Sequence, residues 1–68
     1  MFNNIQKGDF IKCISDNLNS FSKGKCYSVV RGFHVDTYMD KVIIVIDDNQ
    51  EEHFLSEGFL QKNFVEIK

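Results

Sequence analysis

The chain has 68 residues, of which 43% are hydrophobic and 13% aromatic, and eight Lys and Arg against ten Asp and Glu give a formal charge of −2. This length allows one domain, residues 1–68, and excludes a two-lobed active site, while the apolar content excludes a disordered tail. The acidic balance does not supply the basic excess that drives non-specific binding to duplex DNA.

The sequence predicts a cytoplasmic protein with no membrane association. Its longest apolar run, residues 42–46, is far shorter than the about 20 residues that span a bilayer. Residues 1–7 contain no apolar segment of signal-peptide length. Cys13 and Cys26 would stay reduced in the cytoplasm, so we expect two small buried residues on neighbouring strands rather than a disulfide.

In the first half of the chain, each strand pattern follows a turn that contains glycine. Gly8 can take a positive φ in the first turn, and residues 10–14 follow as a strand. A polar loop over residues 15–22 contains two apolar anchors, Leu18 and Phe21, and is long for a simple hairpin.

A second glycine turn, around Gly24, precedes a strand over residues 26–31 that is rich in β-branched and aromatic residues. Gly32 is expected to break or bulge this strand. Residues 33–40 then read as a connection or an extended hairpin tip.

In the second half, residues 41–46 form the clearest strand, because a continuous apolar run indicates burial on both faces. Residues 47–50 form a tight turn, since Asp and Asn tolerate the left-handed conformation. Residues 51–55 return as a strand. Residues 56–63 suggest a short helical segment with Ser56 as its N-cap, and residues 64–67 close as the last strand.

Five short strands with one helical turn before the last predict an all-β fold, a small SH3-like barrel, with an OB-like barrel as the alternative. The helical turn before the last strand favours the SH3-like form. The predicted core has apolar side chains of medium to large size on every strand. It comprises Phe10, Ile14, Tyr27, Val29, Val42, Ile44, Ile46, Phe54, Phe59 and Val65.

Four segments resemble small SH3-like proteins encoded by bacteriophages and prophages. They are Lys7-Gly8-Asp9-Phe10-Ile11-Lys12-Cys13-Ile14, Lys23-Gly24-Lys25-Cys26-Tyr27-Ser28-Val29, Val45-Ile46-Asp47-Asp48-Asn49 with His53-Phe54, and the closing residues 59–65. The resemblance covers nearly the whole chain and implies the same barrel, a phage origin and the cytoplasm of a host cell. Most such proteins have no assigned activity. Here Asn49-Gln50 replaces the glycine that is usual at the hairpin.

The chain does not display the spacing of a metal site or a catalytic set. His34, His53, Cys13 and Cys26 lack the paired spacing of zinc ligands. A Cys–His nucleophile needs an orienting group and a cleft, and the chain is too short to build one. We therefore expect no enzyme activity, no metal and no cofactor.

Acidic side chains flank the predicted hairpin: Asp47, Asp48, Glu51 and Glu52. A solvated acidic turn is the simplest interpretation. The functional interpretation is a knob that faces a basic surface on a partner.

Aromatic residues in the loops suggest a protein partner. Phe33, His34, Tyr38 and Met39 fall in one connection, and such side chains either fold back over the barrel or take part in an interface. We expect a protein-interaction module that modulates a host or phage protein. Its expected contacts are Phe21, Phe33, His34 and Tyr38 with the acidic residues Asp47, Asp48, Glu51 and Glu52. A homodimer is the simplest form of self-association.

The alternative function is nucleic-acid binding. Lys12, Lys25 and Arg31 fall on or beside two strands that should pair, and Phe21 lies in an adjoining loop. Cations that meet phosphates beside rings that stack on bases are what single-stranded nucleic acids require. A solvated strand face is the competing interpretation, and the net charge supports it.

Overall fold

The computed structural model describes Phe2, residues 4–35 and residues 41–67. The strands are β1 (Phe10–Cys13), β2 (Cys26–Val35), β3 (Lys41–Ile46), β4 (Glu52–Ser56) and β5 (Phe64–Ile67), and the helix α1 (Glu57–Asn63) lies between the last two. The predicted all-β class, the five strands and the helical segment before the last of them are thus confirmed.

All five strands lie in one antiparallel sheet with the order β4-β3-β2-β1-β5. The pairing of β1 with β5, from Phe10 opposite Ile67 to Cys13 opposite Phe64, joins the two ends of the chain. β4 and β5 lie at opposite edges, and within the described residues no pairing between them closes the sheet. The observed architecture is therefore an open five-stranded sheet with one short helix.

β2 is longer than the sequence predicts. It continues through Gly32 to Val35, with register shifts on both sides of Arg31. The predicted irregularity is confirmed, whereas the predicted end at Arg31 is wrong. Glycine is needed here because the N-terminal segment crosses the strand: a Cβ on Gly32 would lie 2.6 Å from the carbonyl oxygen of Ile5.

The glycine turns form as expected, whereas the hairpin turn differs from the prediction. Gly8 and Gly24 have φ values of 96° and 86°, and the backbone N–H of Gln6 donates to the Asp9 carboxylate at 2.8 Å. In the hairpin between β3 and β4, Gln50 takes the left-handed conformation with φ 63°, although Asp and Asn were expected to do so. Gln50 stands beside Asn49 where the resembled pattern has glycine.

The core lies on one face of the sheet, the inner face, and is closed by the N-terminal segment, the loop before β2 and α1. It comprises Phe2, Ile5, Ile11, Cys13, Phe21, Tyr27, Val29, Ile43, Val45, Leu55, Leu60 and Phe64. Because side chains alternate along a strand, the neighbours of these residues point to the opposite face, which we call the outer face.

The predicted core is half right. Tyr27, Val29, Val42 and Ile44 are buried, and Ile46 and Phe59 are half-buried. Burial was wrongly predicted for Phe10, Ile14, Phe54 and Val65, which are exposed. In β1 and β5 the apolar residues occupy both alternating sets, so the two-residue period does not decide which set faces inward.

The helix α1 begins where the sequence predicts. Ser56 is its N-cap, and the Ser56 hydroxyl accepts a hydrogen bond from the backbone N–H of Phe59 at 3.3 Å. The helix buries Leu60 against the core. At its end Asn63 is 7% exposed, and its side-chain oxygen accepts from the Ser15 hydroxyl at 2.6 Å. This contact ties the loop after β1 to the start of β5.

Candidate functional site

Asp47 lies inside the hairpin turn rather than on its surface. Its side chain accepts the backbone N–H groups of Asn49 at 2.9 Å and Glu51 at 3.0 Å, and it contacts His53 Nδ1 at 3.1 Å. The hydrogen bond from Glu51, followed by those from His53 and Asn49, lowers the pKa of Asp47 below its ordinary 3.8, although burial opposes the shift. With 4% exposure, Asp47 is not the partner contact expected from the sequence.

Asp48 ties the loop before β2 to the same turn. Its carboxylate accepts from the Ser22 hydroxyl at 2.8 Å, the Tyr27 hydroxyl at 2.8 Å and Lys25 Nζ at 3.0 Å. These three hydrogen bonds lower the pKa of Asp48, and the bond from Ser22 has the largest effect. The bond to Asp48 raises the pKa of Lys25, and burial above all raises that of Tyr27. The predicted acidic knob is therefore reduced to Glu51 and Glu52, which are exposed.

Phe21 belongs to the core. It is 5% exposed, and its ring meets those of Tyr27, His53 and Phe64 edge to face at centroid distances of 4.9, 5.0 and 5.1 Å. Such packing is typical of buried aromatic clusters. Phe21 is thus not the exposed ring that the sequence suggested, either for a protein partner or for a nucleobase.

Phe33 and His34, the described members of the aromatic connection, are both half-buried. Phe33 packs against the core, with Lys41 Nζ 4.7 Å from the centre of its ring, and His34 Nδ1 lies 2.9 Å from the carbonyl oxygen of Gly32. Tyr38, the remaining predicted contact, lies outside the described residues. The described members of the predicted set do not share one exposed surface.

The outer face of the sheet is the apolar surface that the sequence interpretation missed. Phe10 is opposite both Ser28 and Ile67, and Lys12 is opposite both Cys26 and Val65. Phe10 is 49% exposed, Val65 40% and Ile67 39%. Directly opposed residues point to the same side of a sheet, so these side chains form one patch on β1 and β5.

The patch continues across β2 to β3 and β4. Phe10 and Ile46 line a groove of about 210 Å³ together with Cys26 and Ser28, small residues of β2 between them. Farther along, Arg31 is opposite Ile44, which is opposite Phe54. Phe54 is 57% exposed. Apolar side chains thus occur on the outer face from one edge strand to the other, with the buried Ile44 beside the exposed Phe54.

Among the residues that the structure describes, the exposed charges of the outer face are Lys12, Arg31 and Glu52. Lys25, which borders the groove, is paired with Asp48. Two basic groups against one acidic group make this face more basic than the chain as a whole, whose formal charge is −2. Of the three predicted cations, Lys12 and Arg31 are thus exposed on the outer face, whereas the charge of Lys25 is paired with that of Asp48.

A second concavity lies where the loop before β2 meets β4 and α1. It has a volume of about 260 Å³ and is lined by Leu18, Asn19, Ser20, Phe21, His53 and Phe59. We call it the His53 pocket. Its loop wall is held to the hairpin because the Asp48 backbone N–H donates to the Ser20 carbonyl at 2.9 Å.

Both cysteines are free. Cys26 is opposite Lys12 in the pairing of β1 with β2, so Cys26 points outward and Cys13 inward. The prediction of free cysteines on neighbouring strands is confirmed, and the predicted burial is right for Cys13 and wrong for Cys26.

Within the described ranges, no three side chains of His, Cys, Asp or Glu lie close enough together to hold a metal ion. Over the same part of the chain, no helix is long and apolar enough to cross a bilayer. Comparison of the chain with protein-family models, with curated proteins and with solved structures finds no match.

Proposed function

We propose that the chain is a protein-interaction module that binds another protein through the outer face of its sheet and alters that protein's activity. The observation that carries the proposal is the row of exposed apolar side chains on this face, Phe10, Phe54, Val65 and Ile67. An antiparallel sheet that faces water usually alternates apolar-inward and polar-outward residues, and a contiguous exposed apolar patch marks an interaction site.

An SH3-like barrel of bacteriophage origin is part of the same proposal. The strand order β4-β3-β2-β1-β5 and the helix before β5 support the barrel, whose closure would protect the edges of the sheet. The resemblance of the turn and hairpin segments supports the phage origin. The activity that is altered would then belong to a host or phage protein in the host cytoplasm.

The charges of the outer face indicate the chemistry of the partner. Apolar anchors of the partner would cover Phe10 and Phe54, and an acidic group would meet Lys12 and Arg31. A second copy of this chain fits less well. A two-fold contact would bring together Lys12 and Arg31 from both copies, and only one Glu52 from each copy would offset their charge. We therefore infer an acidic, apolar surface on a different protein.

The test is affinity capture from host cells with Phe10→Ser, Phe54→Ser and the double variant. Both rings are about half exposed, so the variants should fold, and loss of a true anchor should cost ~2 kcal/mol or more in binding. Val35→Ser is the matched control, since Val35 is 59% exposed at the far end of β2 and opposes Lys41.

The proposal requires one protein that the wild type and Val35→Ser retain after nuclease treatment and that the double variant loses. Equal retention by all the variants would contradict it. If the protein captured a second copy of itself and no other protein, the outer face would serve self-association instead.

Single-stranded nucleic acid is the second candidate. The observation that favours it is the position of Phe10 and Phe54, exposed on the face that also carries Lys12 and Arg31; stacking rings beside cations suit single strands. Two cations would give a salt slope of only about −1.4 in log affinity against log salt. Binding of an oligonucleotide that weakens with salt and is lost in Lys12→Gln/Arg31→Gln would support this candidate.

A further inference from the structure

The His53 pocket combines apolar walls with one imidazole whose orientation is fixed. Leu18, Phe21 and Phe59 supply the apolar side chains, and His53 supplies the imidazole. Its volume of about 260 Å³ lies below the roughly 300–1,000 Å³ of pockets that hold whole small molecules. The space therefore suits one side chain of a larger partner.

Asp47 determines which nitrogen of His53 remains for a ligand. The buried Asp47 carboxylate already accepts two backbone N–H groups and lies 3.1 Å from His53 Nδ1. A carboxylate can only accept, so Nδ1 carries the proton. In the neutral ring Nε2 is then an acceptor, and it is the ring nitrogen that the bond to Asp47 leaves unused.

We propose that the His53 pocket binds the phenol ring of a tyrosine side chain presented by another protein, with its hydroxyl donating to His53 Nε2. A planar ring matches the edge-to-face packing already present between His53 and Phe21, whose centroids lie 5.0 Å apart. A carboxylate or phosphate fits less well, because the Asp47 carboxylate behind the imidazole would repel an anion. This site is separate from the outer face and does not rest on its function.

The test is a two-dimensional NMR titration of the labelled protein with N-acetyl-tyrosinamide at pH 8, with N-acetyl-phenylalaninamide as the matched ligand. The two compounds differ by one hydroxyl, which would leave Nε2 unpaired in the phenylalanine complex. We expect the tyrosine compound to bind about tenfold more tightly. Backbone shifts should change at residues 18–21, His53 and Phe59, and the ¹⁵N signal of His53 Nε2 should move.

His53→Phe separates the hydrogen bond from the apolar walls, since it keeps a ring beside Phe21 and removes the acceptor. In this variant, checked for folding by its spectrum, the preference for the tyrosine compound should disappear. Equal affinity of the wild type for the two compounds would overturn the proposal, as would shift changes confined to other residues. The wild-type comparison decides the matter even if the variant does not fold, and neither result bears on the outer face.

Discussion

At the scale of single residues, the two aspartates of the hairpin turn act as acceptors that organise the fold. Asp47 holds the turn and His53, and Asp48 holds Ser22, Lys25 and Tyr27. Both carboxylates have lowered pKa values because of these bonds. The main role of both side chains is therefore to stabilise the fold, rather than to contact a partner.

The lowered pKa values predict how stability depends on pH. A carboxyl group whose pKa is lower in the folded chain stabilises it above the ordinary value of 3.8, and this contribution is lost as the pH falls through the folded-state value. The free energy of unfolding should thus fall below about pH 5. Asp48→Asn should be less stable at pH 7 and lose less on acidification, as measured by urea unfolding at several pH values.

Asp16→Asn is the control, because Asp16 is an exposed residue of the loop after β1. It should follow the wild-type curve. If the wild type and Asp48→Asn lost the same free energy on acidification, the role given to Asp48 would be incorrect.

Gln50 provides a second prediction at this scale. Its φ of 63° is a left-handed conformation that costs a residue with a Cβ atom roughly 1–2 kcal/mol. Gln50→Gly removes this cost and loses about 0.5–1 kcal/mol of chain entropy. We expect a net gain of about 0.5–1 kcal/mol in thermal or urea unfolding. Asn49→Gly, in the same turn without a positive φ, should instead destabilise, and a loss at Gln50→Gly would contradict this explanation.

At the scale of elements, Gly32 fixes the crossing of the N-terminal segment over β2. An alanine Cβ there would meet the Ile5 carbonyl oxygen at 2.6 Å, so backbone must move. We expect Gly32→Ala to cost about 1–3 kcal/mol. Gly58→Ala in α1 is the control: its Cβ would meet no atom within 4 Å, and a helical Gly→Ala exchange gains up to about 1 kcal/mol. Equal effects of the two substitutions would show that the crossing is not tight.

The elements could be predicted from the sequence, but the faces of the strands could not. Glycine turns, β-branched runs and the Ser56 cap define local structure, and they appear where expected, except that β2 continues past Arg31 to Val35. In β1, however, Phe10, Ile11 and Cys13 are all apolar, so the alternation of side chains does not show which face of the strand points to the core. The choice is made by tertiary contacts, since Ile11 and Cys13 meet the core and Phe10 does not.

The candidate sites were harder to predict for the same reason. A run of acidic residues suggests a solvated knob, yet Asp47 turns inward to accept N–H groups of its own turn. The composition of the outer face depends on the register between β1 and β5, which determines which side chains lie next to one another. The two apolar sets of β1 were the signal that could have revealed it, because the core can take only one of them.

At the scale of the whole molecule, the core side of the sheet and its outer face differ in burial. Leu60 is fully buried, whereas Phe54 is 57% exposed. Leu60→Ala should therefore cost about 2–5 kcal/mol in unfolding experiments, and Phe54→Ser should stay within about 0.5 kcal/mol. A large loss of stability in Phe54→Ser would mean that the outer face serves the fold.

Site-specific photocrosslinking in the proposed host cells tests partner binding by the outer face most directly, with a photoreactive phenylalanine analogue at position 54 or, as the control, at position 35. Phe54 lies on the outer face, and Val35 is equally exposed at the far end of β2. We expect one discrete protein adduct from position 54 and none from position 35. The same adduct from both positions, or nucleic acid in place of protein at position 54, would contradict this expectation.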